Sequence, residues 1–390
     1  MLRILFVNKA SLAYPGGAET RIRAVAPRLA RMGHEVFMVC AKTSPGEARE
    51  ERIDGVLLRR VSVMPDWLLR RFPVPSYLPQ ALFFVFAPPV VLQCVRRWRI
   101  DVVRDDMSPF PGLSVLAPVL GRRAIVVVHN LFGGLGGWRR FYPAPFALAG
   151  ALGEWLLVRG LLRYRAIATA APWVAEYLRE RGARAARVEA IPNGIDLPSF
   201  SRRPPRGKIE RIVSFGRFSV HKRLQDVVSA CAELRDRGVA FELTFIGAGP
   251  QETALRSAIS AAKLGDHARI LPALPRSELL RALPEYDLFV LASSSEGLPL
   301  ALLEAAASQL GLVVAARPWA TTLLDRSVAR LYDPDDPDDL AQALSEAIRD
   351  PVATEARAER ARRWVEGFDW DRTAAAELAL MSDACHEADS

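Results

Sequence analysis

Residues 287–309 read DLFVLASSSEGLPLALLEAAASQ. DLFVLASSS is an apolar run ending in small polar residues, the pattern of a strand that reaches a loop. From about Pro299 the chain is apolar and alanine-rich, which predicts a helix. Strand, polar loop and helix in that order form the repeating unit of a doubly wound α/β sheet. Two carboxylates interrupt the pattern: Glu296 falls in the loop and Glu304 in the second helical turn. Both can then face one cavity at the helix mouth, where free backbone N–H groups and the helix dipole favour negative charge or polar ligands. A solvated loop glutamate followed by a helix-surface glutamate has the same spacing, so the surrounding chain must separate the two readings.

The same alternation runs outward in both directions. LRILFVN, EVFMVCA, GVLLRRV, DVVRD, AIVVVH and AIATA read as strands in the first half. IERIVSFG, FELTFIGAG, ARILPAL, DLFVLASSS and LVVAA form a second series from residue 209. ETRIRAVAPRLARMG has the period of an amphipathic helix ending at Gly33. At 390 residues the chain is too long for one ordinary core, so two α/β domains with largely parallel sheets are expected. IPNGIDLPSFSRRPPRGK, with four prolines, is read as a linker. The division is therefore 1–190 for the first domain, 191–208 for the linker and 209–368 for the second domain. A C-terminal helix over 369–390 is expected to pack back on the first.

Charge is distributed unevenly. Residues 1–190 carry 28 basic and 14 acidic side chains, net +14, whereas 191–390 carry 24 and 30, net −6. The first half therefore suits an anionic partner. No recognised binding motif or aromatic-basic alternation points to nucleic acid, and an anionic membrane surface fits better. Residues 72–95 contain no charge over 24 positions, but five prolines argue against a regular spanning helix. Part of this segment reads as a buried helix. A membrane-contacting flap is the sharper alternative, supported by the aromatics, aliphatics and arginines of 137–165. Cys40, Cys94, Cys231 and Cys385 are scattered, without CxxC spacing or a Cys/His cluster, which predicts a reducing compartment and no structural metal.

Ligands of doubly wound sheets bind beyond the carboxyl ends of the strands, and several polar groups fall there. Gly16 and Gly17 follow the first strand, either to admit a ligand or to make a tight turn. His129 follows AIVVV, where turn polarity explains it equally well. Arg217 and Lys222 follow IVSFG and precede a helix start; they make a diphosphate clamp or a solvated basic turn. The glycines of FIGAGP would let a nucleotide approach. Asp333 and Asp335 in YDPDDPDD form an Asp-x-Asp, but the helical LAQALSEAI that follows favours a helix N-cap cluster over a metal site.

In their order and spacing PGGAETRIRAVAPRLARMGHEV, VVVHN, IPNGID, SFGRFSVHKR, FIGAGP and SSSEGLPLALLEAAAS resemble the retaining glycosyltransferases of the bacterial group 1 family. Members of that family have two Rossmann-like domains facing a central cleft, the GT-B architecture, and a Glu-x7-Glu element that SSSEGLPLALLEAAAS resembles. The resemblance implies that Arg217 and Lys222 hold the donor diphosphate, that Glu304 holds the ribose, and that Glu296, Gly297 and Leu298 bind donor sugar hydroxyls. It implies that Gly16 and Gly17 line the cleft near phosphate and acceptor, and that His129 contacts the transferred sugar from the opposite domain. Glu296 and His129 are thus the candidate catalytic residues, and no nucleophile is assigned. No cofactor or metal is implied, the nucleotide-sugar being a substrate.

The chain departs from the family where Gln309 replaces a glycine and Gly311 a proline, and where RPWATTLLDRSVARLY replaces a Gly-Gly-x-x-Glu stretch. Residues 315–332 therefore leave the donor sugar open. The expectation is a cytoplasmic, metal-independent hexosyltransferase, peripheral on the inner face of the membrane, acting on a lipid-linked precursor of a surface polysaccharide or glycolipid. A soluble small-molecule acceptor, a non-catalytic nucleotide-sugar-binding subunit and a same-fold sugar-nucleotide epimerase are the alternatives. A dinucleotide oxidoreductase is disfavoured because no GxGxxG follows the first strand.

Overall fold

The computed structural model describes residues 1–10, 16–71, 77–107, 116–139, 142–183 and 187–386. The chain forms two compact units, Met1–Gly194 with Trp370–Ser390, and Ile195–Asp369. In the first, β1 (Arg3–Asn8), β2 (Glu35–Ala41), β3 (Glu50–Ile53), β4 (Val56–Val61), β5 (Val102–Met107), β6 (Ala124–Val128), β7 (Ala166–Thr169) and β8 (Val188–Ala190) make one sheet. Its order is β3-β4-β2-β1-β5-β6-β7-β8. The pairings are parallel except β3 with β4, a hairpin turned by Asp54 and Gly55, both at positive φ. The second sheet comprises β9 (Arg211–Arg217), β10 (Glu242–Ala248), β11 (Ala268–Leu271), β12 (Leu288–Leu291), β13 (Gly311–Ala315) and β14 (Arg330–Tyr332). Its order is β11-β10-β9-β12-β13-β14, all parallel.

The central strands are apolar on both faces, as helices on both sides of a parallel sheet require: Ile4 to Val7, Ala124 to Val128 and Leu288 to Leu291 are buried throughout. Both sheets reverse direction of growth, between β1 and β5 in the first unit and between β9 and β12 in the second. Such switch points leave a crevice at the carboxyl ends of the two strands.

Residues 195–208, read from sequence as linker, pack within the second unit. Phe200 is buried, and Arg203 is 4% exposed with its guanidinium 3.2 Å from Asp287. Asp287, the residue preceding β12, also accepts the backbone N–H groups of Glu210 and Arg211 at 3.0 and 2.9 Å. The helix Trp370–His386 packs on the helix Gly17–Arg31, where Arg28 reaches Asp371 at 2.5 Å. Of the uncharged 72–95 stretch, 72–76 lie outside the described residues. The rest belongs to the helix Tyr77–Arg97, which buries Phe83, Ala87, Val91, Cys94 and Val95 and turns Val85 and Phe86 outward. Among the described residues no helix is long and apolar enough to cross a membrane. Burial pushes the thiols of Cys40 and Cys231 up to about 12, so they sit in the core as apolar groups.

Candidate functional site

The switch point of the second unit gathers most of the sequence-predicted residues. Arg217 ends β9, and a 3₁₀ turn at Val220–Lys222 leads into the helix Leu224–Asp236. The loop after β12 is tied to this turn, since the backbone N–H of Ser294 donates to the His221 carbonyl at 2.9 Å and its hydroxyl does so at 3.1 Å. That register brings Lys222 Nζ to 2.6 Å from Glu296 Oε1. Burial pushes the Glu296 carboxyl up, but Lys222, His221 and a Ser293 hydrogen bond outweigh it and hold the carboxyl below its ordinary value. Burial pushes the His221 imidazole down, with Glu296 opposing and Lys222 and Arg217 adding to the effect. Arg217 and Lys222 line one small pocket with Gly216, Phe218 and Leu291. Leu298 is buried and packs in the loop, three residues after Ser295.

The glycines of FIGAGP have a packing role within the unit. A Cβ on Gly247 would lie 1.9 Å from the Gly216 carbonyl oxygen, and one on Gly249 would lie 2.4 Å from that of Phe218. Their clearance is taken up by the neighbouring β9 end, which they allow to come close and thereby place Arg217.

Glu304 lies in the helix Leu300–Ala307, which starts directly after Pro299. It is buried and ion-paired to Arg276, the first residue of the helix Arg276–Ala282. Burial pushes its carboxyl up against the opposing Arg276. Glu296 and Glu304 therefore have separate cationic partners. Gln309 holds φ +61°, the left-handed conformation that suits the glycine of the family pattern. Gly311 donates its N–H to the Asp287 carbonyl at 2.9 Å, a bond that proline lacks, and its Cβ would meet Leu288 and Thr354 at 2.6 and 2.7 Å. In the replaced 315–332 stretch, Trp319 is buried and its indole N–H donates to the Ser293 carbonyl at 3.0 Å, beside the strand end that leads to Glu296.

In the first unit Gly16 caps the helix Gly17–Arg31 in extended conformation, φ −167°, and a Cβ on Gly17 would meet nothing within 4 Å. The backbone angles of Gly16 therefore suit any residue, and Gly17 has no internal packing that requires glycine. Glu19 in the first turn is buried against Asn8 of β1, 3.1 Å away. His129 follows β6, with its Nε2 3.2 Å from Asp106 Oδ1 at the end of β5. Asp106 also receives Arg104 at 2.8 Å, and Arg104 pairs with Glu377 from the C-terminal helix. Glu377 in turn accepts Arg21 Nε at 2.7 Å, and Arg21 donates to the Ile191 carbonyl and to Asn193. A continuous chain of buried charged side chains thus runs from Asp106, which His129 contacts, to the helix that begins at Gly17. Beside it, Asp105 is hydrogen-bonded by the Tyr164 hydroxyl, and burial pushes its carboxyl up to about 7.

Sequence reasoning missed Arg276, His221, Asp105, Asp106 and Glu377. The adjacent aspartates at a strand end were a usable signal for two of them. Asp335 is held by Arg317 at 2.8 and 2.7 Å, and the Asp339 carboxylate accepts the Asp333 N–H at 2.6 Å. Asp338, at the N-cap of the helix Asp339–Arg349, makes no side-chain cap bond, so the acidic run organises the turn and not the cap. Among the described residues no cluster of three or more His, Cys, Asp or Glu is placed to hold a metal ion.

The family model described as Glycosyltransferase Family 4 matches residues 15–198, and Glycosyl transferases group 1 matches 199–364. The chain is 29% identical over 382 residues to a D-inositol 3-phosphate glycosyltransferase of Arthrobacter sp. (strain FB24), covering 93% of this chain and 89% of that one. It is 32% identical over 289 residues to a glycogen synthase of Mycobacterium tuberculosis, covering 72% and 68%. Among solved structures, sucrose-phosphate synthase from Thermosynechococcus elongatus superposes with a TM-score of 0.80 at 19% identity over 98% of this chain and 99% of that one. Anabaena HepE in complex with UDP-glucose gives 0.73 at 16% over 98% and 100%. These likenesses give each unit the Rossmann-like character of the GT-B fold, and the chain belongs to the group 1 glycosyltransferases.

Proposed function

We propose that this glycosyltransferase moves a hexose from a nucleotide-sugar to a lipid-linked glycan precursor, with retention at the anomeric carbon and without a metal. The observation that carries the reading is the Lys222–Glu296 pair beside Arg217 at the switch point of the second unit. A departing nucleoside diphosphate needs compensating positive charge, which Arg217 and Lys222 supply in place of a cation. Glu296, kept ionised by Lys222, accepts hydrogen bonds from donor sugar hydroxyls, with the backbone of Gly297 and Leu298 beside it. Glu304, with Arg276, is assigned to the ribose. The first unit is assigned to the acceptor, with Gly16 and Gly17 near phosphate and acceptor and His129 to the transferred sugar. Its net positive charge supports an anionic acceptor and a peripheral place on the inner face of the membrane.

The Anabaena protein solved with UDP-glucose supports a nucleotide-sugar donor. Trp319 lies in the stretch that departs from the family and holds the Ser293 carbonyl before Glu296, so the donor sugar is assigned to residues of this chain's own. A panel of nucleotide-sugars screened by thermal unfolding, followed by transfer assays in excess EDTA, tests the reading. A donor at about 100 times its dissociation constant adds about 2.7 kcal/mol of stability, which such a screen resolves. Transfer should persist in EDTA. Complete loss, restored by Mg²⁺ or Mn²⁺, would overturn the role given to Arg217 and Lys222.

A further inference from the structure

Apart from Glu154 and Arg159, the helix Ala144–Leu161 consists of apolar side chains and glycines, yet only part of it is covered. Leu157, Val158 and Leu161 pack into the core against β6 and β7. The opposite side exposes Leu148, Leu152, Trp155 and Leu156 at 53, 59, 49 and 49%, and Leu162 continues the row just past the helix end. The one charge on that side is Arg159, whose guanidinium lies 4.2 Å over the Trp155 ring. An all-apolar helix face is stable where something apolar covers it, in a core or in lipid.

The surrounding charge says which. Between residues 131 and 165 the single acidic residue is Glu154, and it is buried. Its carboxylate accepts from the backbone N–H groups of Phe132, Gly133 and Gly134, from the Trp138 indole and from the Tyr177 hydroxyl. What this segment shows to solvent is therefore apolar surface with exposed Arg139, Arg159 and Arg163 and no acid. A second copy docked on the same face would oppose arginines to arginines. An anionic leaflet answers both features, with acyl chains for the leucines and Trp155 and headgroups for the arginines.

We propose that the exposed face of the helix Ala144–Leu161 inserts into the interface of an anionic bilayer. Glu154 ties this helix to residues 132–134, which closely follow His129, so the insertion also fixes the β6 strand end relative to the lipid surface. The inference deepens the proposed function, resting on it only for the lipid-borne acceptor.

Co-sedimentation with phosphatidylglycerol-containing vesicles, against pure phosphatidylcholine, tests it with the full chain. The parent should bind the anionic vesicles and hardly the neutral ones. Leu152→Ser, Trp155→Ser and Leu156→Ser together should lower that binding by at least about 30-fold, while the melting temperature and donor-induced stabilisation stay unchanged. Trp155→Phe should keep most of the binding. Unchanged binding by the triple variant would overturn the proposal. So would a dimeric parent that the triple substitution turns monomeric, since the face would then be a self-interface. A parent that binds vesicles as described but is stabilised by no nucleotide-sugar would leave the lipid surface standing and remove the donor assignment.

Discussion

Replacing Glu377 by glutamine removes the negative charge that two buried guanidinium groups share. Arg21, Arg104 and Glu377 are each at most 1% exposed, with Glu377 Oε1 2.7 Å from Arg21 Nε and Oε2 on Arg104. After the change Arg104 keeps the Asp106 carboxylate at 2.8 Å, whereas Arg21 keeps only the neutral Ile191 carbonyl and Asn193 at 2.8 and 3.0 Å. Burial already pushes the Arg21 guanidinium down, and Glu377 is the main group opposing it. Breaking a buried pair from one side costs about 3–5 kcal/mol. Because glutamine retains an acceptor and Arg104 retains a carboxylate, Glu377→Gln should fall near the lower end, at about 3 kcal/mol. Glu377→Ala should cost about 4 kcal/mol on the same basis.

A domain has about 5–15 kcal/mol in all, so the variant should fold but with a visibly reduced margin. Urea unfolding, followed by hydrogen exchange of amides in 370–386, measures this. With a slope of about 2 kcal/mol per molar, the first unit's midpoint should drop by about 1.5 M. A Glu377→Gln midpoint within about 0.3 M of the parent, at unchanged slope, would refute the claim that this carboxylate holds the first unit together.

Glu296→Gln should lower turnover by at least about 10-fold with the fold intact, since a charged hydrogen bond is worth about 1.5–3 kcal/mol, while Glu304→Gln should mainly weaken nucleotide binding; transfer rates and donor titrations separate the two. The Glu296 carboxyl is held low, so the Lys222 pair contributes fully above about pH 4.5 and is lost only as pH falls through the lower folded value; nucleotide binding should show no titration from this group between pH 5 and 8. Asp105 has the opposite sign. Its folded value near 7 lies above the unfolded value of about 3.9, so stability should decline as pH rises from about 4 to 7, and Asp105→Asn should flatten that decline in denaturation curves. Gln309→Gly should leave stability unchanged or raise it by up to about 1 kcal/mol, because left-handed strain is relieved against some gain in unfolded-state entropy; a loss of more than about 1 kcal/mol would show that the glutamine side chain stabilises the turn.

The elements that sequence made legible are those whose burial pattern is local. LFVL must be a buried strand because it is apolar throughout, and the polar residues after it must reach a strand end. β3 is hard to read from sequence because EERI is polar and its strand is an edge, although Asp54-Gly55 marks the hairpin. β8 and β14 are three residues each, too short to show a period. Within the candidate site the residues were readable but their partnerships were not. Lys222 and Glu296, 74 positions apart, each look like a ligand group until the fold sets them against each other. The FIGAGP glycines were visible, but only the geometry shows that the neighbouring strand end fills the space they leave. Glu377 carries no local signal at all, since its role exists only through Arg21 and Arg104, 356 and 273 residues away.

That separation has a consequence for how the molecule is made. Translation delivers Arg104 some 273 residues ahead of Glu377, an interval of about 14–55 s at ordinary elongation rates. Throughout that interval the nascent first unit carries two guanidinium groups destined for burial, without the carboxylate that neutralises them. The second unit is one uninterrupted segment, Ile195–Asp369, and has all its parts on hand earlier. The domain begun first is thus the last to be completed, and it waits for the helix Trp370–His386 to close it.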